Sequence, residues 1–327
     1  MRKHVCRSIM LTLVVATAWT AATPRASAAD NAKKKVVFIA GRQSHGYGSH
    51  DHYAGCMLLA KALQATMPNF QCVVVRDGYP KDTAVFQNCD AVVIFSDGGG
   101  GHPFMQHLKE IDALADKGVG IACLHYAVEI PKGDPGNYLL KWIGGYFESH
   151  WSVNPFWVAK FTQFPNHPIT RGIKPFQIND EWYYHMRFRE NMQGVTPILS
   201  DLPPADTLKR PDGPHSNNPH VRAAVLERKE PQHLAWASES PGGQRGFGFT
   251  GGHFQWNWGE PNFRRLVLNA VVWVAKGDVP ANGVCDQPVT LRMLEENNDE
   301  PQPANFNREA ILRQFRIDGE TSPDKPT

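Results

Sequence analysis

A chain of 327 residues with 34 Lys and Arg against 32 Asp and Glu is close to electrical balance, and its 42% hydrophobic content suffices for a sizeable core. The charges are scattered, with no dense Lys/Arg run, which excludes the electrostatic footprint of a nucleic-acid-binding or membrane-surface protein. The length is generous for one domain but ordinary for an α/β domain carrying insertions.

The chain starts with Arg2, Lys3, His4 and Arg7, continues through an apolar run from Ile9 to Ala22, and reaches Ala26-Ser27-Ala28, a small-x-small cleavage pattern. These features predict a secretory leader over residues 1–28 and a periplasmic or secreted mature protein. The run is shorter than the roughly 20 residues that span a bilayer, and Cys6 precedes it, away from the point where a lipoprotein cysteine would stand. Cleavage would remove Arg2, Lys3, Arg7 and Arg25 but no acid, leaving 30 basic against 32 acidic residues and turning the charge of +2 into −2. No later segment is apolar enough for a membrane helix. Five cysteines remain (Cys56, Cys72, Cys89, Cys123 and Cys285), an odd number without a C-x-x-C pair, which argues against a disulfide scaffold and against a structural zinc site. A Cys72–Cys89 pair stays open.

Lys35–Gly41 (KVVFIAG) reads as the opening strand of a parallel sheet. A polar, glycine-containing stretch, Arg42 to His52, leads into a helix over Tyr53–Met67, which Pro68 stops. Gln71–Val75, Ala91–Phe95 and Val119–Leu124 are further buried strands, with a helix over Phe104–Asp116 between the last two. Strand, loop and helix repeated in this order predict a flavodoxin-like, doubly wound, mostly parallel sheet with right-handed crossovers. From Asn154 to Thr250 the pattern becomes short strands and Pro-rich turns, the mark of β-rich insertions, before a helix over Asn262–Lys276. The α/β domain is expected to cover 29–278, and 279–327, poor in apolar residues, an extended tail.

Ligands of such sheets sit beyond the carboxyl ends of the strands. Those ends carry His45, His50 and His52, then Asp97 and His102, then His125 and Tyr126. His125 follows the strand Gly120–Leu124 on a strand-to-helix turn of the kind that exposes a nucleophile. His253 follows a strand over Gly246–Thr250 and two glycines, with Gln255, Trp256 and Trp258 after it. The two indoles suit the C–H faces of sugar rings, and Trp182, beside Asp180 and Glu181, belongs to a similar aromatic and acidic cluster. Trp151 and Trp157 would extend an aromatic wall, and Pro203–Pro219 is a candidate lid or surface loop.

Several pieces in order resemble the trehalose-utilisation (ThuA-like) family, relatives by fold of the class I glutamine amidotransferases. They are the Ser44–His52 loop, Gly120–Ala127 (GIACLHYA), Gly144–His150 (GGYFESH), Asn166–Thr170 (NHPIT), Asn179–Tyr183 (NDEWY) and Thr250–His253 (TGGH). Amidotransferases need a cysteine at the elbow and a downstream His-x-Glu. Here His125 holds the elbow and the motif reads His253-Phe254-Gln255, so glutamine hydrolysis is excluded as the activity. A hydrolase built on Ser96 or Ser149 is disfavoured by the absence of G-x-S-x-G.

The resemblance implies carbohydrate catabolism, acting on a disaccharide or keto-sugar derivative, with a small carbohydrate as partner. Homo-oligomerisation stays open. His125, His253 and Glu181 are the expected catalytic groups, and Asp97, Tyr126, Trp182, Gln255, Trp256 and Trp258 the expected substrate contacts. His50, His125, His150 and His253 are the expected ligands of a zinc or manganese ion. Such a centre would serve a lyase, hydrolase or isomerase. The competing expectation is a non-catalytic sugar-binding protein that has lost amidotransferase chemistry.

Overall fold

The computed structural model describes Met1 and residues 33–284 and 287–315; the rest of the expected leader and Cys285 lie outside these residues. In chain order the elements are β1 (Lys34–Ala40), α1 (His52–Thr66), β2 (Phe70–Val75), β3 (Ala91–Phe95), α2 (Leu108–Asp116), β4 (Gly120–Leu124) and α3 (Asp134–Ile143). They continue with β5 (Gly145–Tyr146), β6 (Phe156–Phe161), β7 (Phe176–Glu181), β8 (Arg187–Phe188), β9 (Val195–Asp201) and α4 (Pro219–Arg222). Then come β10 (Gln232–Glu239), β11 (Arg245–Phe249), α5 (Pro261–Val274), α6 (Leu291–Glu295) and α7 (Arg308–Phe315).

Seven strands form one sheet in the order β2-β1-β3-β4-β11-β10-β9. The first five are parallel to one another, while β10 and β9 run antiparallel to their neighbours. The continuous β-branched runs follow from burial on both faces. In β1, Val36, Phe38 and Ala40 join one core with Leu59 and Leu63 of α1 and Leu266 and Val271 of α5; Val37 and Ile39 join the other with Ile111 of α2 and Leu139 and Trp142 of α3. Burying each large aliphatic side chain contributes about 1.5–3 kcal/mol, so the alternation fixes both the register and the side on which each helix packs.

The starting order 2-1-3-4 places a topological switch between β1 and β3, where doubly wound sheets bind ligands at their carboxyl ends. Gly41 lets the chain use this crevice: a Cβ there would lie 2.5 Å from the Cβ of Ser96, so only glycine allows the loops leaving β1 and β3 to come together. The insertion supplies an antiparallel pair, β6 with β7, which delivers Asp180 and Glu181 to the same end.

Two expectations change. Helix α2 starts at Leu108 rather than Phe104, because Pro103 and the turns after it use Phe104 as a buried plug. The tail is not an extended arm over its described length: α6 and α7 form there, and Val289, Leu291 and Leu294 are buried in the α1–α5 core. A few apolar anchors suffice although the surrounding composition is polar. Cys56, Cys72, Cys89 and Cys123 are free thiols. Among the described residues no helix is long and apolar enough to cross a membrane.

Candidate metal and substrate site

Three strand ends of the sheet and the insertion meet at one point. The loop after β1 carries His50, the turn after β4 carries His125, the loop after β11 carries His253, and Glu181 ends β7. One donor atom from each of these four lies within 4.8 Å of the others. His50 and His125 are 1% and 0% exposed, and both take left-handed backbone angles, φ 51° and 53°. Such angles are strained for a residue with a Cβ and persist only where the surroundings enforce them.

The ring orientations are fixed from behind. His125 donates from Nδ1 to the carbonyl of Thr250 at 2.9 Å, and His50 donates from Nδ1 to Asp97 Oδ1 at 2.8 Å. A carbonyl oxygen only accepts, so His125 Nδ1 carries the proton and Nε2 keeps its lone pair; the Asp97 carboxylate favours the same tautomer in His50. The two Nε2 atoms face each other at 3.0 Å. His253 Nδ1 is 3.1 Å from His50 Nε2 and 3.1 Å from Glu181 Oε2, which is itself 3.6 Å from His125 Nε2. The lone pairs of His50 and His125 Nε2, facing each other at 3.0 Å, repel unless a proton or a metal ion stands between them.

Backbone and buried acids complete the frame. Asp180, fully buried, accepts from the N–H groups of Gly252 (2.6 Å), His253 (3.0 Å) and Glu181 (2.8 Å), tying β7 to the loop after β11. Gly252 makes this turn at φ +113°, a region side chains rarely enter. Burial is the main influence on Asp180 and raises its pKa, against the N–H groups that it accepts from. Glu181 is held through Oε1 by the Asn154 amide at 3.1 Å.

Burial keeps the rings of His125 and His52 neutral. Burial, reinforced by His50 and His253, pushes His125 well below the ordinary histidine value. Burial likewise lowers His52 to about 4; its Nδ1 donates to the Arg42 carbonyl, and its Nε2 stands 3.7 Å from Asp97. Burial pushes Asp97 up, but hydrogen bonds from His50 and Ser44 outweigh it and hold the carboxyl below its usual range. Tyr183 is raised well above the phenol value by burial and then by Glu181, so it keeps its proton. Its hydroxyl is 3.3 Å from His125 Nε2 and 3.4 Å from Glu181 Oε2.

Of the residues singled out from sequence, His50, His125, His253, Glu181 and Asp97 come together, and Tyr126 borders them, its ring 6.2 Å from that of His50. His150 does not join them; it is exposed and uses its backbone N–H on the Pro214 carbonyl. The indoles form no wall. Trp182 and Trp258 are 0% exposed in the core, and Trp256 is 4% exposed, against Gly48, Tyr47 and Phe306. Gln255 turns away too, donating to the Leu294 carbonyl. A core of this size consumes its largest apolar side chains, and these indoles serve that demand. The aromatic at the rim is Phe156, 51% exposed and edge-on to His253 with centroids 4.9 Å apart. Sequence reasoning missed Tyr183, although alternation held the signal: side chains two apart share a face, so Tyr183 accompanies Glu181 while Trp182 turns to the opposite core.

The model of the family described as trehalose utilisation, ThuA, matches residues 35–274. Among solved structures, a ThuA-like protein of Bacteroides uniformis is similar at 14% identity and a TM-score of 0.50, covering 79% of this chain and 98% of that one, a likeness of fold. No curated protein matches the chain. The match to the family model spans all four converging side chains and nearly the whole α/β domain: the chain belongs to the ThuA family, related to trehalose utilisation.

Proposed function

We propose that the protein is an exported, metal-dependent enzyme of carbohydrate catabolism, acting on a disaccharide or keto-sugar derivative. The observation that carries this reading is the set of three buried imidazoles, two of them with pinned tautomers, whose nitrogens converge with Glu181 Oε2 within 4.8 Å. The donor set fits zinc or manganese: neutral imidazole nitrogen suits both, a carboxylate oxygen is available as a further ligand or proton acceptor, and each of two histidines has a rear hydrogen bond. His50, His125 and His253 would hold the ion. When bound, it would polarise a sugar carbonyl or hydroxyl oxygen.

The remaining work falls to the protein's own groups. Glu181 faces the same space through Oε2 and takes the proton from the carbon next to the carbonyl. Tyr183, still protonated, donates a hydrogen bond to the substrate oxygen. Asn154 keeps Glu181 aimed, and Asp180 keeps the loops of His253 and Glu181 at their separation.

Elemental analysis of the purified protein and of His125→Ala tests the reading. Stoichiometric zinc or manganese in the parent, lost in the variant, is the expected result. A parent that takes up neither metal, yet binds sugars unchanged after His125→Ala, would leave the sugar-binding alternative in its place.

A further inference from the structure

The segment 203–218, between β9 and α4, does not wander over the surface. His215 Nε2 meets both carboxylate oxygens of Glu129, at 2.9 and 3.1 Å, and its ring stacks on Phe147 with centroids 5.2 Å apart. Asn154 donates its backbone N–H to the His215 carbonyl at 2.9 Å, and Arg210 bridges that same carbonyl and the Asn154 side chain. Since the Asn154 amide also holds Glu181, the segment is wired to the metal site through one residue.

Glu129 is rooted at the other side of the same crevice. It ends the turn that begins with His125, is 5% exposed, and accepts through its backbone carbonyl from Gly99 N–H at 2.9 Å. Gly99, at φ +60°, leaves a gap where a side chain would stand: a Cβ there would be 3.4 Å from Glu129 Oε1 and 3.6 Å from the Tyr126 hydroxyl. A side chain at Gly100 or Gly101 would meet nothing within 4 Å, so the gap opens outward. A carboxylate, backed by the His215 imidazole, and a phenol hydroxyl thus border this gap, and the Tyr126 ring is 6.3 Å from that of Tyr183.

We infer that Glu129, His215 and Tyr126 form a subsite that grips adjacent hydroxyls of a neutral polyhydroxylated ring while the reacting part of that ring meets the histidine cluster. The inference rests on the metal-site reading and adds to it the substrate contacts that the tryptophans do not supply. The chemistry matches: a vicinal diol offers two donors and two acceptors, Glu129 takes donors, Tyr126 serves an acceptor, and His215, its Nε2 on Glu129, holds that carboxylate in place. No charged group of the substrate is called for, because the carboxylate and the imidazole already balance each other.

The experiment is calorimetric titration of the zinc-loaded mature protein with α,α-trehalose, methyl α-glucoside and the 2-deoxy analogue of that glucoside. Parent protein is compared with Glu129→Gln and Tyr126→Phe, and each sample is checked for zinc content and melting temperature. Each substitution should weaken binding of the parent sugars by about tenfold or more, as expected for loss of a hydrogen bond to a charged or buried partner. Zinc stoichiometry should stay intact, and in Glu129→Gln the gap between the glucoside and its deoxy analogue should shrink, which a merely structural role would not produce. Binding unchanged in both folded variants, or a parent that binds none of the sugars, overturns the subsite. A parent without zinc overturns the metal reading instead, and the same titrations without metal then decide the subsite alone.

Discussion

Asp97→Asn is the most informative single change at the cluster, because it touches no converging atom. Asp97 stands behind His50, 2.8 Å from Nδ1, with 32% of its side chain exposed. The amide that replaces it still offers an oxygen to the same N–H but no longer a charge. His50 therefore keeps its tautomer and loses basicity and rigidity. Outer partners of this kind are worth ten- to a hundredfold in metal affinity, about 1.4–2.7 kcal/mol. Competition for zinc against a chromophoric chelator measures the constant directly. Asp97→Asn should fall in that window, His50→Ala should fall further, and His150→Ala should match the parent, since His150 lies exposed outside the cluster. Parent-like affinity in Asp97→Asn, or equal weakening in His150→Ala, would refute the assignment of Asp97 as the group that orients His50.

Three further outcomes are expected. Asp180→Asn places an amide N–H opposite the N–H of Gly252 or His253, costing about 1–3 kcal/mol in denaturant titrations and weakening zinc binding as Glu181 and His253 lose their common anchor. In metal-free protein, burial lowers His52 and His102 to about 4 from an ordinary 6.5. The unfolded chain therefore binds more protons between those values, and unfolding free energy should drop as pH falls from about 6.5 to 4; a flat profile would contradict their burial as neutral rings. His215 moves the other way, raised by its hydrogen bond to Glu129. Its contribution is complete below 6.5 and is lost as pH rises through the raised value, so amide protection over 203–218, relative to the intrinsic exchange rate at each pH, should fall on the alkaline side, and Glu129→Gln should remove that fall.

The parallel half of the sheet was legible because KVVFIAG, AVVIF and GIACL are too uniformly apolar to be anything but doubly buried strands. Crossover handedness then put His50, Asp97 and His125 at one end. Which histidines meet was not legible: His45, His50 and His52 differ only by where the loop turns, and the turn depends on a left-handed angle at His50 enforced by tertiary contacts. The indoles misled for a chemical reason. Tryptophan suits a sugar face and a protein core equally, and only the packing of Gly48 on Trp256 and of Phe95 on Trp258 separates the two uses. The tail misled through composition, since Val289, Leu291 and Leu294 are few among many polar residues and their partners lie far back in α1 and α5.

The converging side chains stand at positions 50, 125, 181 and 253, so the outermost pair is separated by 203 residues of chain. No fragment that stops short of β11 contains the site. During synthesis the centre is therefore a late product, complete only after the last strand of the parallel set has threaded into place beside β4. Under the export and metal binding proposed above, this order would leave ion selection to the compartment in which the sheet closes.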